Sequence, residues 1–193
     1  MHGISLIQPG DVIGFSGCSL KSSIIRVCTG GLWCCDGLSH VGFAVKLDGR
    51  KRPLLCESTS LCNLPCVATR QRIKGVQVHY MRERIATYRG RVWHYPLARP
   101  LSPRESYWLT DFTLRHLGTE YDRRGAIAAR HTLLAGLFRR PENLDRLFCS
   151  EWLAAAMRYV NRFHTDNASA WSPNGAVRAM LREQECLPGR RLT

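Results

Sequence analysis

The first half of the chain alternates apolar and polar residues with the period of a pleated strand, and the second half repeats its apolar residues with the period of a helix. Turn residues Pro9-Gly10-Asp11 precede Val12-Ile13-Gly14-Phe15, which reads as a short buried strand. Further strands are predicted over 38–47, 53–59, 76–81 and 91–97. Residues 19–28 carry apolar positions at mostly helical spacing. Past Leu101 the period changes. Ser102 is placed to cap a helix that has Pro103 in its first turn and an apolar stripe of Trp108, Leu109, Phe112, Leu114 and Leu117, ending at Gly118. A helix is expected over 126–138. Another opens at Cys149, with Trp152, Leu153, Ala156, Met157 and Val160 as its inner stripe. Ser172-Pro173 opens the last one, over 176–182. A β-rich half followed by a helical half makes an α+β fold, and no break in composition divides 1–193 into two domains.

Within strand 38–47, Val41, Phe43, Val45 and Leu47 form one face and His40, Gly42 and Ala44 the other. The first set is a core face. The second pairs a histidine with small residues and leaves room for another element or a substrate. Asp48-Gly49 has the composition of a two-residue hairpin turn. Such a turn pairs Leu47 with Arg50 and sets His40 directly opposite Glu57, close enough for the carboxylate to hold the imidazole. A slip of two residues keeps both on one face as diagonal neighbours.

Cys149 stands where an apolar helical period begins, and backbone amides at a helix start favour a thiolate and can hold an oxyanion. Cysteine, histidine and carboxylate are the parts of a thiol nucleophile, its base and the group that orients the base. Cys56 lies on the strand face opposite Glu57 and reads as core, and Ser150 is a weaker nucleophile than its neighbour. The nine cysteines are an odd, scattered set. Cys62-x-x-x-Cys66 and Cys34-Cys35 lack the second pair of a zinc module, so no metal or cofactor is expected.

The formal charge of +13 changes the picture on the outside. Arg50 to Arg52, Arg70 to Lys74, Arg82 to Arg91, Arg123-Arg124, Arg139-Arg140 and Arg190-Arg191 make a surface that attracts anionic polymers or headgroups. No finger spacing or aromatic-interleaved strand points to specific nucleic-acid recognition. No apolar run is long enough to span a membrane, and the first residues lack the features of a secretory signal, which makes a cytoplasmic setting with reduced thiols the expectation.

Gly10-Asp11-Val12-Ile13, Ser39-His40-Val41-Gly42, Glu57-Ser58-Thr59, Gly118-x-x-Tyr121-Asp122 and Phe148-Cys149-Ser150-Glu151 together resemble the circularly permuted NlpC-type papain-like hydrolases, the YiiX/YaeF-like group. The lecithin:retinol acyltransferases are more distant relatives. The order, histidine early and cysteine late, is that of the permuted group. The resemblance implies a small antiparallel barrel or sheet packed on the cysteine helix. It also implies a triad of Cys149, His40 and Glu57 with Tyr121 near the site. Gly10-Asp11 reads as turn-forming. The cysteine- and glycine-rich stretch from Cys28 to Gly37 departs from the pattern.

Hydrolysis of an amide, peptide or isopeptide bond through a thioester is the leading expectation. Acyl transfer, or hydrolysis of a lipid or thioester, uses the same triad. The apolar Leu20 to Trp33 segment suits an acyl chain as well as core packing. A basic binding protein on an inactive scaffold is the reading from another class, and the intact Cys-His-Glu set argues against it.

Overall fold

In the computed structural model, residues 2–17, 37–47, 49, 52–122 and 147–193 are described, and the alternation of the first half appears as a run of strands. They are β1 (Val12–Gly17), β2 (His40–Val45), β3 (Leu54–Thr59), β4 (Gly75–Tyr80) and β5 (Gly90–Tyr95). Among the described residues four α-helices follow or interrupt them: α1 (Met81–Ala86), α2 (Pro103–Arg115), α3 (Cys149–Tyr159) and α4 (Pro173–Arg182). The short strand β6 (Arg190–Arg191) completes an antiparallel sheet in the order β4-β3-β2-β1-β5-β6. Among the described residues this sheet is open and does not close into a barrel. The helices expected over 19–28 and 126–138, and the apolar Leu20 to Trp33 segment, lie outside the described residues.

The two faces of the sheet are covered by different elements. Val41, Phe43, Val45 and Cys56 pack under α3 and its neighbours, with the buried Trp152 ring 5.8 Å from Phe43 and 5.2 Å from Phe112 of α2. The Trp152 indole N–H donates to the Cys56 sulfur at 3.3 Å, which puts Cys56 in the core as its strand position predicts. On the other face Ile13, Phe15, Ala44 and Leu55 pack with Met81 and Ile85 of α1. That short helix falls in the basic stretch that sequence periodicity reads as surface. The room beside Gly42 and Ala44 is therefore taken by β3 and α1, while α3 lies on the opposite face.

Helix α2 begins as its sequence dictates. Ser102 accepts from the Glu105 amide, the Glu105 carboxylate accepts from the Ser102 amide, and Pro103 occupies the first turn.

The turn between β2 and β3 departs from the sequence expectation. Phe43 pairs with Cys56, Ala44 with Leu55 and Val45 with Leu54, so the connection spans residues 46–53 rather than Asp48-Gly49 alone. Pro53, which has no amide hydrogen to donate, stands just before β3 begins. The register is displaced by two, which sets Glu57 beside Gly42 and makes His40 its diagonal neighbour.

Gly42 has to be glycine for a reason that lies in this register. A Cβ there would stand 2.6 Å from the Cys56 carbonyl oxygen and 3.2 Å from the Glu57 Cβ. Gly42→Ala is expected to cost about 1–3 kcal/mol of stability by forcing β2 from β3, read as a lower midpoint in urea with unchanged slope. The small residue expected from the sequence to leave room for another element or a substrate is thus required by the close approach of β3.

Candidate active site

His40 opens β2, and the residues before it are fixed from two sides. The Asn174 side chain of α4 accepts from the Leu38 amide at 2.8 Å and donates to the Leu38 carbonyl at 3.0 Å. The Ser39 amide and hydroxyl both donate to the Phe15 carbonyl, at 2.8 and 3.2 Å. Phe15, the cross-strand partner of His40, lays its ring 5.4 Å from the imidazole. The imidazole, 15% exposed, donates from Nε2 to Glu57 Oε2 at 2.6 Å.

Glu57 is fully buried, and both of its oxygens are engaged. Arg84 of α1 donates Nε–H to Oε1 at 2.5 Å and Nη2–H to Oε2 at 3.1 Å, forming a two-pronged ion pair around the carboxylate. Burial alone would raise the pKa of Glu57. The Arg84 charge, followed by the hydrogen bond and charge of His40, outweighs that and holds it at about 2. His79 of β4 stands 3.8 Å from Glu57 Oε1 and is tied to Gln77 Oε1 at 2.9 Å and to the Pro65 carbonyl at 3.2 Å. Burial lowers its pKa.

Cys149 is the first residue of α3, preceded by the extended Phe148. The first backbone bond of the helix runs from the Trp152 amide to the Phe148 carbonyl at 2.9 Å. The amides of the first turn thus sit beside the thiol. Glu151, third in the helix, turns back to accept from the Phe148 amide at 3.4 Å and also takes the Ser169 hydroxyl. Ser150 donates its hydroxyl to the Trp171 carbonyl at 2.7 Å, which commits it to structure.

The segment leading into Cys149 is anchored to the sheet that carries Glu57. Ser58 points to the other face of β3 from Glu57 and donates its hydroxyl to the Leu147 carbonyl at 2.6 Å. Leu147 also pairs with the backbone of Glu120 at 2.9 Å and Asp122 at 3.4 Å. Half-buried Tyr121 lies between those two residues, beside the approach to Cys149.

The thiol and the imidazole meet. Burial would lower the pKa of His40, but the charge of Cys149 and a hydrogen bond with it, joined by those of Glu57, raise it to about 9. Elements far apart in the chain therefore bring Cys149, His40 and Glu57 together. With Nε2 held by the carboxylate, Nδ1 is the ring nitrogen left for the thiol.

Sequence reasoning did not find Arg84, Gln77 or His79. The last two carry a faint signal, because Val76 and Val78 alternate with them and Gln77 pairs across β3–β4 with Glu57. Arg84 carries none, since a buried arginine looks like any other arginine in a basic run. Asp11 shapes its turn as expected: it accepts from the Gln8 amide at 2.8 Å, the Leu97 amide at 2.9 Å and His94 Nε2 at 2.7 Å.

No protein-family model matches the chain, and no curated protein does. Among solved structures it is similar to the crystal structure of the metalloprotein YiiX from Escherichia coli O157:H7. The TM-score is 0.54 at 19% identity, over 92% of this chain and 82% of that one. What the two share is a fold. Among the described residues no helix is long and apolar enough to cross a membrane.

Proposed function

We propose that this protein is a cysteine hydrolase of the permuted papain-like kind that cleaves an amide or peptide bond. Cys149 is the nucleophile, His40 its base and Glu57 the group that orients His40. The observation that carries this reading is the imidazole at the start of β2, held by a buried carboxylate on one side and a helix-start thiol on the other. The Cys149 thiolate attacks the substrate carbonyl carbon, forming a carbon–sulfur bond, and the amides of the first turn of α3 receive the oxyanion. The carbon–nitrogen bond then breaks, and the His40 imidazolium gives its proton to the departing amine. A water, deprotonated by His40, attacks the thioester and releases the acid with the thiol restored. Tyr121, next to the Leu147 pairing, is suited to line the substrate entry.

The structural neighbour is described as a metalloprotein, but the residues here do not fit a metal. Both Glu57 oxygens are occupied by Arg84 and His40, a guanidinium stands where a cation would have to sit, and no group of three metal-ligating side chains gathers among the described residues.

Trapping decides between classes of acyl donor. Wild type and Cys149→Ala, incubated with cell-wall peptides, unmodified peptides and acyl lipids, are expected to differ for one class, with a thioester on Cys149 in quenched wild-type samples by mass spectrometry. Capture of that acyl group by an added amine or alcohol instead of water marks a transferase. No acyl adduct with any class, from protein whose Cys149 alkylates readily, would count against the reading.

The basic surface fits a substrate that is anionic or lies on an anionic surface. Arg84 and Arg162 are buried in ion pairs, but Arg70, Arg72, Lys74, Arg82, Arg89, Arg91, Arg190 and Arg191 are exposed. The second-order rate on such a substrate is expected to fall several-fold between about 0.05 and 0.5 M salt while the maximal rate holds, because salt screens encounter and not chemistry. A rate indifferent to salt would leave the charge as a solvated face.

A further inference from the structure

We infer that Arg84 is a positioning residue for His40, acting through Glu57; the inference rests on the Cys149–His40–Glu57 reading. Three observations carry it. Both guanidinium contacts end on the one carboxylate that His40 uses, and Glu57 Oε2 is shared between Arg84 Nη2 and His40 Nε2. The guanidinium is itself held in place, buried, with its carbon 5.0 Å from the centre of the Phe15 ring and 5.4 Å from that of Tyr88. Phe15 in turn packs 5.4 Å from His40 and 4.9 Å from Tyr88, so one ring touches both the base and its clamp.

The physical consequence concerns the proton on the imidazole. A planar fork fixes the plane of the carboxylate and so the direction in which Oε2 accepts. It also keeps Glu57 ionised, in agreement with its low pKa. An ionised Glu57 can only accept, which puts the ring hydrogen on Nε2 and leaves Nδ1 free to take the proton of the thiol. A protonated Glu57 would donate to Nε2 instead, and the neutral ring would carry its hydrogen on Nδ1, the wrong side for a base. Lysine supplies the charge and not the orientation, since a point charge fixes no plane.

The test uses iodoacetamide alkylation of Cys149, followed by mass spectrometry, together with ¹⁵N spectra of the histidine rings recorded above pH 9, where the His40 ring is neutral and its two tautomers are distinguished. Arg84→Met that keeps the wild-type circular dichroism is expected to alkylate about ten- to a hundredfold more slowly at neutral pH, the loss typical of an outer partner that orients a metal-bound imidazole. Its His40 signal is expected to lose the Nε2–H pattern. Arg84→Lys, which keeps the charge, is expected to stay folded and fall between Met and wild type. The double variant Arg84→Met with Glu57→Gln removes both buried charges and lets the amide oxygen face His40, so it is expected to alkylate faster than Glu57→Gln alone. A folded Arg84→Met or Arg84→Lys with wild-type rate and wild-type His40 spectrum would overturn the inference and leave the triad standing. Unchanged alkylation in His40→Ala would remove the triad reading and this inference with it.

Discussion

Cys149→Ala is expected to lose turnover by about three orders of magnitude or more on any substrate the protein cleaves, while Cys186→Ala keeps the wild-type rate. The two thiols make a matched pair, because each is 5% exposed. Their surroundings differ in sign. Cys186 is buried near Asp11 and Glu185, and burial followed by those two negative charges pushes its pKa up to about 12. At neutral pH it is almost wholly protonated and unreactive. Cys56, pushed up to about 12 by burial in spite of the Trp152 N–H, is inert for the same reason. Cys149 instead faces His40, whose raised pKa expresses a mutual attraction of imidazolium and thiolate. Residue-resolved alkylation by iodoacetamide at pH 7 is therefore expected to run roughly a hundredfold or more faster at Cys149 than at Cys186. Access cannot account for such a gap when exposure is equal. Equal rates at the two positions, or full turnover by Cys149→Ala, would sink the assignment of the nucleophile.

Much of this site was legible in the residues, and what was not has physical causes. The start of α2 could be read because Ser102, Pro103 and Glu105 act on their own local backbone, and local chemistry survives into the fold. The faces of β2 and β3 could be read because a period of two admits only two assignments. Phe43 and Cys56 had to share the core side once Glu57 and His40 were on the other. Register was harder. Asp48-Gly49 has the composition of a tight turn, but the connection runs from residue 46 to 53, and pairing of Phe43 with Cys56 won over local turn preference. Because the displacement is an even number, it changed the neighbours and spared the faces. The order of the sheet, its openness and the side on which α3 lies depend on contacts between distant residues. Arg84 was unreadable for the same reason: it reaches Glu57 only because α1 folds back over Phe15 and Glu57.

Two other features of the site make sense once the sheet is seen as a divider. Glu57 and Ser58 are consecutive and so point to opposite faces of β3. One reaches the base through His40 Nε2, and the other holds the carbonyl of Leu147, two residues before the thiol. A single stretch of β3 therefore contacts His40 directly and the approach to Cys149 through Leu147, although the two proposed partners come from opposite halves of the chain. The same logic gives Asn174 a place, since it holds Leu38 from α4, two residues before the base. Small displacements of β3 relative to β2 will be felt in the chemistry, which is why Gly42, where the two backbones crowd each other, is a sensitive position.

The pH dependence carries the second large expected effect. His40 has a pKa of about 9 against an ordinary 6.5, so its ion pair contributes fully below 6.5 and is lost as pH rises through 9. In the proposed reaction the imidazolium protonates the leaving amine, so kcat/KM is expected to fall on the alkaline side with a midpoint near 9. Glu57 moves the other way. Its folded pKa of about 2 lies below the ordinary 4.5, so it contributes roughly 3 kcal/mol of stability above 4.5, and that contribution drains away as pH falls toward 2. Glu57→Gln tests both ends at once. It removes the negative charge, so the alkaline midpoint is expected to move down toward 6.5 and the acid-sensitive share of stability to vanish. From the sequence, glutamine looks a mild change because it still accepts a hydrogen bond. The structure makes it severe. Arg84 and His40 donate to both Glu57 oxygens, so a glutamine must turn its NH₂ toward a donor whichever way it sits. It also leaves the Arg84 charge buried without a partner, a loss of about 3–5 kcal/mol. Glu57→Gln is therefore expected to approach His40→Ala in lost activity and to exceed it in lost stability. An alkaline midpoint that stayed near 9 in a folded Glu57→Gln variant would show that Glu57 does not set the acidity of His40.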